Sequence, residues 1–166
     1  MHYYFVGLTA TGNFTALSAM QSLGFTTRLY PTGISQCAAV DAVAALSVAY
    51  WFRREQLPLN DAQLVLTVRA DIEEWLAECE RRYMLEALES LSPLEIEVRR
   101  GIFGQLEFSA SVWRTAYTRH VERCGELAAK AGKVLHIWDA IAEPTWDFLC
   151  ALTGRRAPDT PFPLCQ

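Results

Sequence analysis

The hydrophobic pattern of this 166-residue chain changes period several times, and each change marks an element. Residues His2 to Leu8 are aromatic or apolar, show no helical period and stop at a Gly/Thr cluster, which predicts a buried strand. From Phe14 the apolar positions fall at helical spacing, as Phe14, Leu17 and Met20 or as Ala16, Met20 and Leu23. Gly24 then ends the helix. A short second strand is expected over Phe25 to Tyr30, up to Pro31-Thr32-Gly33. A mostly helical segment follows from about Ser35 to Arg54 and closes before Pro58. Its apolar run, Ala38 to Phe52, is broken by Asp41 and reads as a buried helix.

Gln63 to Arg69 forms the next strong strand pattern. Asp71 then stands where it can cap a helix with Ile72, Trp75, Leu76, Cys79 and Tyr83 on one face. A helix near Val112 to Lys130 turns Trp113, Ala116, Tyr117, His120, Val121, Cys124 and Leu127 inward. Gly132 ends it, Val134 to Trp138 gives another strand, and Pro144 to Leu152 a short helix; the proline-rich tail, 155–166, is expected to be irregular. Strands alternating with helices predict an α/β protein: one domain over 1–166, three αβα layers, and a small parallel sheet whose ligand edge is the carboxyl end of its strands.

Composition narrows the function classes. With 51% hydrophobic and 20% charged residues the chain has an ordinary globular balance. A net charge of −4 argues against nucleic acid as a partner. No stretch reaches the 18 or so apolar residues that a membrane span needs. Met1 to Leu8 lacks the basic region of a signal peptide, so a cytoplasmic protein is expected. Five scattered cysteines, with no Cys-x-x-Cys spacing, indicate neither a zinc site nor a disulfide framework. All basic residues except Lys130 and Lys133 are arginine. Arg53/Arg54, Arg81/Arg82, Arg99/Arg100 and Arg155/Arg156 are adjacent pairs, which read either as recognition of phosphate or sulfate or as solvated helix faces and a codon bias towards arginine.

Gly7-Leu8-Thr9-Ala10-Thr11-Gly12-Asn13-Phe14 has the glycine spacing of a phosphate loop, in which backbone amides and a helix start cradle an anion. A nucleoside triphosphatase needs Lys and then Ser or Thr after the second glycine. Asn13 and Phe14 stand there instead, which disfavours an ATP- or GTP-hydrolysing enzyme or a kinase. The amides and the hydroxyls of Thr9, Thr11 and Thr15 suit a phosphate held without a metal.

Val6 to Gly12 continuing to Leu23-Gly24-Phe25 resembles the 5′-phosphosulfate loop of sulfotransferases that use 3′-phosphoadenosine 5′-phosphosulfate (PAPS). Leu66-Thr67-Val68-Arg69 with Trp75 is similar to the family's strand and its 3′-phosphate arginine. Tyr117-Thr118-Arg119-His120-Val121 with Lys133-Val134-Leu135 is a third match. Trp146-Asp147-Phe148-Leu149-Cys150 with Pro158-Asp159-Thr160-Pro161-Phe162-Pro163 resembles the family's C-terminal ending. The resemblance implies a P-loop NTPase-like topology, PAPS as donor without a metal, and sulfuryl transfer to a hydroxyl or amine of a small molecule. It places Gly7, Thr9, Ala10, Thr11, Gly12, Asn13, Phe14, Thr15 and Arg69 around the donor. The alternative it leaves open is a catalytically impaired relative that binds a nucleotide, an anion or a partner.

Ala10 stands where relatives carry Arg or Lys, a loss worth about 10²–10³ in rate for a preorganised charge. Ala77 stands where they usually carry the serine of the 3′-phosphate site. Arg28, at the end of the second strand, is the candidate replacement cation. Asp41 is the first candidate base, with a carboxyl that burial in its helix would raise, and His120 the second. His136 is assigned no role. The many aromatic residues leave room for a homodimer face.

Overall fold

The computed structural model describes residues 1–84 and 86–164. Five strands, β1 (His2–Phe5), β2 (Thr27–Leu29), β3 (Ala42–Ala44), β4 (Ala62–Thr67) and β5 (Leu135–Trp138), form one parallel sheet in the order β2-β3-β1-β4-β5. Seven α-helices are present among the described residues: α1 (Asn13–Ser22), α2 (Ile34–Ala38), α3 (Leu46–Arg53), α4 (Ile72–Tyr83), α5 (Pro93–Phe103), α6 (Ala110–Lys130) and α7 (Asp147–Thr153). The α/β architecture expected from alternating periods is therefore present.

The connection from β1 to β2 runs one way across the sheet, and every later connection runs back the other way. With right-handed crossovers, that reversal puts α1 on one face and α2 to α6 on the other. Side chains alternate accordingly along β1. Tyr4 and Val6 pack with Trp75, Val98, Trp113 and Leu127 from α4, α5 and α6. Tyr3 and Phe5 pack with Leu17 and Met20 of α1 and Leu149 of α7. The sheet is thus covered on both faces.

The helical reading of 35–54 is corrected, because β3 divides that segment into α2 and α3. Ala42, Val43 and Ala44 are buried on both sides of the sheet, so their sequence shows no alternation and cannot be told from helix by period. The segment 88–104 also holds a 3₁₀ turn, Leu88–Ser90, and α5. Asp71 caps α4 as expected, its carboxylate accepting from the Glu73 and Glu74 amides. Residues 155–164 carry no regular structure. Cys165, one of the five cysteines, and the last residue of the expected tail lie outside the described residues.

Candidate functional site

The connection leaving β1 and the one leaving β4 diverge from adjacent strands, and ligands of open α/β sheets bind in the crevice that such a reversal creates. A cleft of about 1230 Å³ opens there. Its floor is the Gly7–Asn13 loop with the start of α1, and Arg69 stands beyond the end of β4. One wall is α4 with the start of α5; Tyr30, Pro31 and Leu46 form the opposite lip.

The loop is held from beneath. The Asn13 side-chain amide donates to the carbonyls of Gly7 and Leu8, both at 3.0 Å, and its oxygen accepts from the Thr67 hydroxyl at 2.8 Å. The Thr11 hydroxyl donates to the Leu8 carbonyl at 2.7 Å and lies 2.9 Å from Thr67 Oγ1. A buried Thr11–Asn13–Thr67 network therefore ties the loop to β4, and both side chains from the loop are spent inward. Of the three expected ligand hydroxyls, that of Thr11 is turned away from the cleft; Thr9 and Thr15 line it.

Gly7 makes this closeness possible. A Cβ there would lie 1.8 Å from Thr67 Oγ1 and 2.5 Å from the Thr67 carbonyl oxygen. Gly12 takes φ 90, and Ala10 takes φ 58, a left-handed value that costs a non-glycine residue about 1–2 kcal/mol. The first intrahelical bond of α1 runs from the Ala16 amide to the Gly12 carbonyl, so the Asn13 and Phe14 amides have no intrahelical acceptor. The positive end of the helix and these amides favour an anion above the loop.

Arg69 belongs to the same cleft. Its guanidinium donates to Glu74 at 3.0 Å, while the Tyr117 hydroxyl clamps its backbone, accepting from its amide at 2.9 Å and donating to its carbonyl at 3.0 Å. Trp75 Nε1 donates to the Thr9 carbonyl at 2.8 Å. Sequence reasoning missed Arg81, Arg82 and Arg99 as cleft residues, although it noted their pairing. Arg81 and Arg82 share Glu78, Arg99 pairs with Glu86, and Glu95 closes the capping box of Ser92. Each carboxylate lining the cleft among the described residues is thus already engaged.

Three expected site residues, Asp41, Arg28 and His120, lie elsewhere. Asp41 precedes β3, at the amino end of the strands, on the opposite edge from the cleft. Its carboxylate accepts from the amide and hydroxyl of Thr26 at 2.8 and 2.7 Å, and these bonds hold its pKa below the usual carboxylate range rather than above it. Arg28 is exposed on β2 and does not line the cleft; its neighbours Leu29 and Tyr30 do. Ala77 is exposed on α4.

His120 is 1% exposed in α6, under the sheet, with Nε2 2.7 Å from the Val6 carbonyl. Cys124 Sγ is its other neighbour. Burial lowers its pKa to about 4. The imidazole is accordingly a neutral brace for the strand that enters the loop, and it does not reach the cleft. Because the unfolded chain binds this proton more readily, stability is full above pH 6.5 and falls as pH drops towards 4, by about 3 kcal/mol. His120→Gln keeps a donor without a titrating group. Urea unfolding at pH 7 and pH 4.5 should show a smaller pH-dependent loss in H120Q than in wild type; equal losses would refute this assignment.

No helix among the described residues is long and apolar enough to cross a membrane, and no cluster of side chains there could hold a metal ion. Comparison with known proteins finds no family model and no curated protein that matches the chain.

Proposed function

We propose that this chain is a PAPS-binding protein of the sulfotransferase type, with P-loop NTPase-like topology, that transfers a sulfuryl group to a hydroxyl or amine of a small molecule in the cytoplasm. The observation that carries the reading is the convergence of the Gly7–Asn13 loop and Arg69 on one cleft at the reversal of the sheet. The residues present fit such a donor: two glycines keep the loop open, the α1 start offers amides to a 5′-phosphosulfate, and Arg69 offers a planar fork to a 3′-phosphate. When bound, PAPS supplies an activated sulfuryl group on a phosphate leaving group. The chain's own part is to orient it: Trp75 and the Thr11–Asn13–Thr67 network fix the loop, and Tyr117 fixes the backbone of Arg69.

Binding without efficient transfer is the second reading. Ala10 in place of a cation and the engaged state of Glu78, Glu86 and Glu95 favour it. Calorimetry tests the common part. Adenosine 3′,5′-bisphosphate should bind, ATP should bind at least tenfold more weakly, and Arg69→Ala should weaken the bisphosphate on the order of 10- to 100-fold. Silence towards the bisphosphate would sink both readings. Ala10→Arg separates them: a rise of about 10²–10³ in PAPS turnover over a panel of phenols, alcohols and amines supports a transferase lacking its loop cation. Donor binding with no gain in turnover supports a binding protein.

A further inference from the structure

Arg99 is the most enclosed cation of the cleft. It rises from α5, is 5% exposed, and lines the same space as Thr9, Ala10 and Gly12. Its guanidinium sits over the Tyr83 ring, 4.3 Å from the centroid, and the Tyr83 hydroxyl lies beside the Thr9 side chain. One phenol ring therefore separates this charge from the loop. Among the described residues the guanidinium donates to Glu86 alone. A guanidinium has five N–H donors, so most of its capacity is uncommitted. Arg81 and Arg82, by contrast, are largely solvated and share one carboxylate. A charge withdrawn from water acts more strongly on a nearby anion than an exposed one.

We propose that Arg99 supplies the positive charge that the loop lacks at Ala10, donating from the α5 side to the phosphate or phosphosulfate held over the Gly7–Asn13 loop. Tyr83 sets the height of the guanidinium above Thr9, and Glu86 holds its far edge, competing with the bound anion for the same cation. The identity of the anion as a nucleotide 5′-group rests on the sulfotransferase reading; the presence of an anion beside Arg99 does not.

Calorimetry with adenosine 3′,5′-bisphosphate, adenosine 3′-phosphate and inorganic pyrophosphate tests this on wild type, Arg99→Met and Glu86→Gln. R99M should weaken the bisphosphate and pyrophosphate on the order of 10- to 100-fold and leave adenosine 3′-phosphate within about threefold. E86Q should bind pyrophosphate at least as tightly as wild type, because it frees the cation instead of removing it. The proposal is overturned if R99M binds like wild type, if R99M and E86Q weaken binding alike, or if R99M weakens the 3′-phosphate as much as the bisphosphate. If R99M does not fold, E86Q decides alone: equal or tighter pyrophosphate binding supports the proposal and weaker binding overturns it. A wild type that takes pyrophosphate but neither nucleotide defeats the sulfotransferase reading and leaves the Arg99 comparison intact. One that takes none of the three defeats both.

Discussion

Replacing Gly7 with alanine is expected to destabilise the protein by about 3–5 kcal/mol and to abolish anion binding. The new methyl carbon would fall 1.8 Å from Thr67 Oγ1 and 2.5 Å from the Thr67 carbonyl oxygen. The first contact can be relieved only by turning Thr67 out of its bonds with Asn13 and Thr11. The second involves backbone, so β1 and β4 would have to separate where they bracket the cleft. A double variant, G7A with Thr67→Ala, removes the overlap with Thr67 Oγ1 but leaves those with the Thr67 carbonyl oxygen and with Thr11 Oγ1, each at 2.5 Å, and should recover only part of the stability. Urea denaturation of wild type, G7A and the double variant measures this. A G7A protein within 1 kcal/mol of wild type would show that the loop does not need this approach.

Trp113→Ala should cost a similar amount, about 3–5 kcal/mol, for a different reason. The indole is fully buried and stacks on Phe103, with ring centroids 3.7 Å apart and planes 2° from parallel. Tyr83 and Phe108 meet it edge-on at 4.7 and 5.2 Å. It therefore joins α4, α5 and α6, and its loss opens a cavity that several large rings cannot fill without moving. Tyr83 is one of those rings, so the damage should reach Thr9 and the loop. Trp113→Phe keeps an aromatic surface and discards an indole N–H that has no partner among the described residues, so it should cost less than half as much. Equal losses for the two variants would mean that the stack contributes little.

These aromatic groups pack in the interior. Other parts of the site were more legible. The glycine loop, the helix after it and the strand leading to Arg69 all lie where the sequence pattern puts them. The wall of the cleft was missed because the signals of α5 went unread: Ser92-Pro93 with Glu95 is a capping box with proline at the first turn, and Gly104 is a left-handed terminator. Arg99 could have been placed on a helix from that motif. Its position over Tyr83 could not.

Asp41 and His120 show the limit most plainly. Asp41 interrupts an apolar run and His120 lies on the apolar face of its helix, and neither setting says which edge of the sheet a residue reaches. Asp41 reached the edge without the cleft, and His120 went under the sheet to the Val6 carbonyl just after β1. By itself the sequence determined the alternation of strands and helices, the loop and the cap of α4, since period, glycine and capping are properties of neighbouring residues. The tertiary structure alone decided that Ala42–Ala44 pairs as a strand, that Asn13 and Thr11 turn inward to Thr67, and that Arg69, Arg81, Arg82 and Arg99 share one cleft. Those outcomes depend on contacts between residues distant in the chain, where strand order and packing, not local pattern, set which side chains meet.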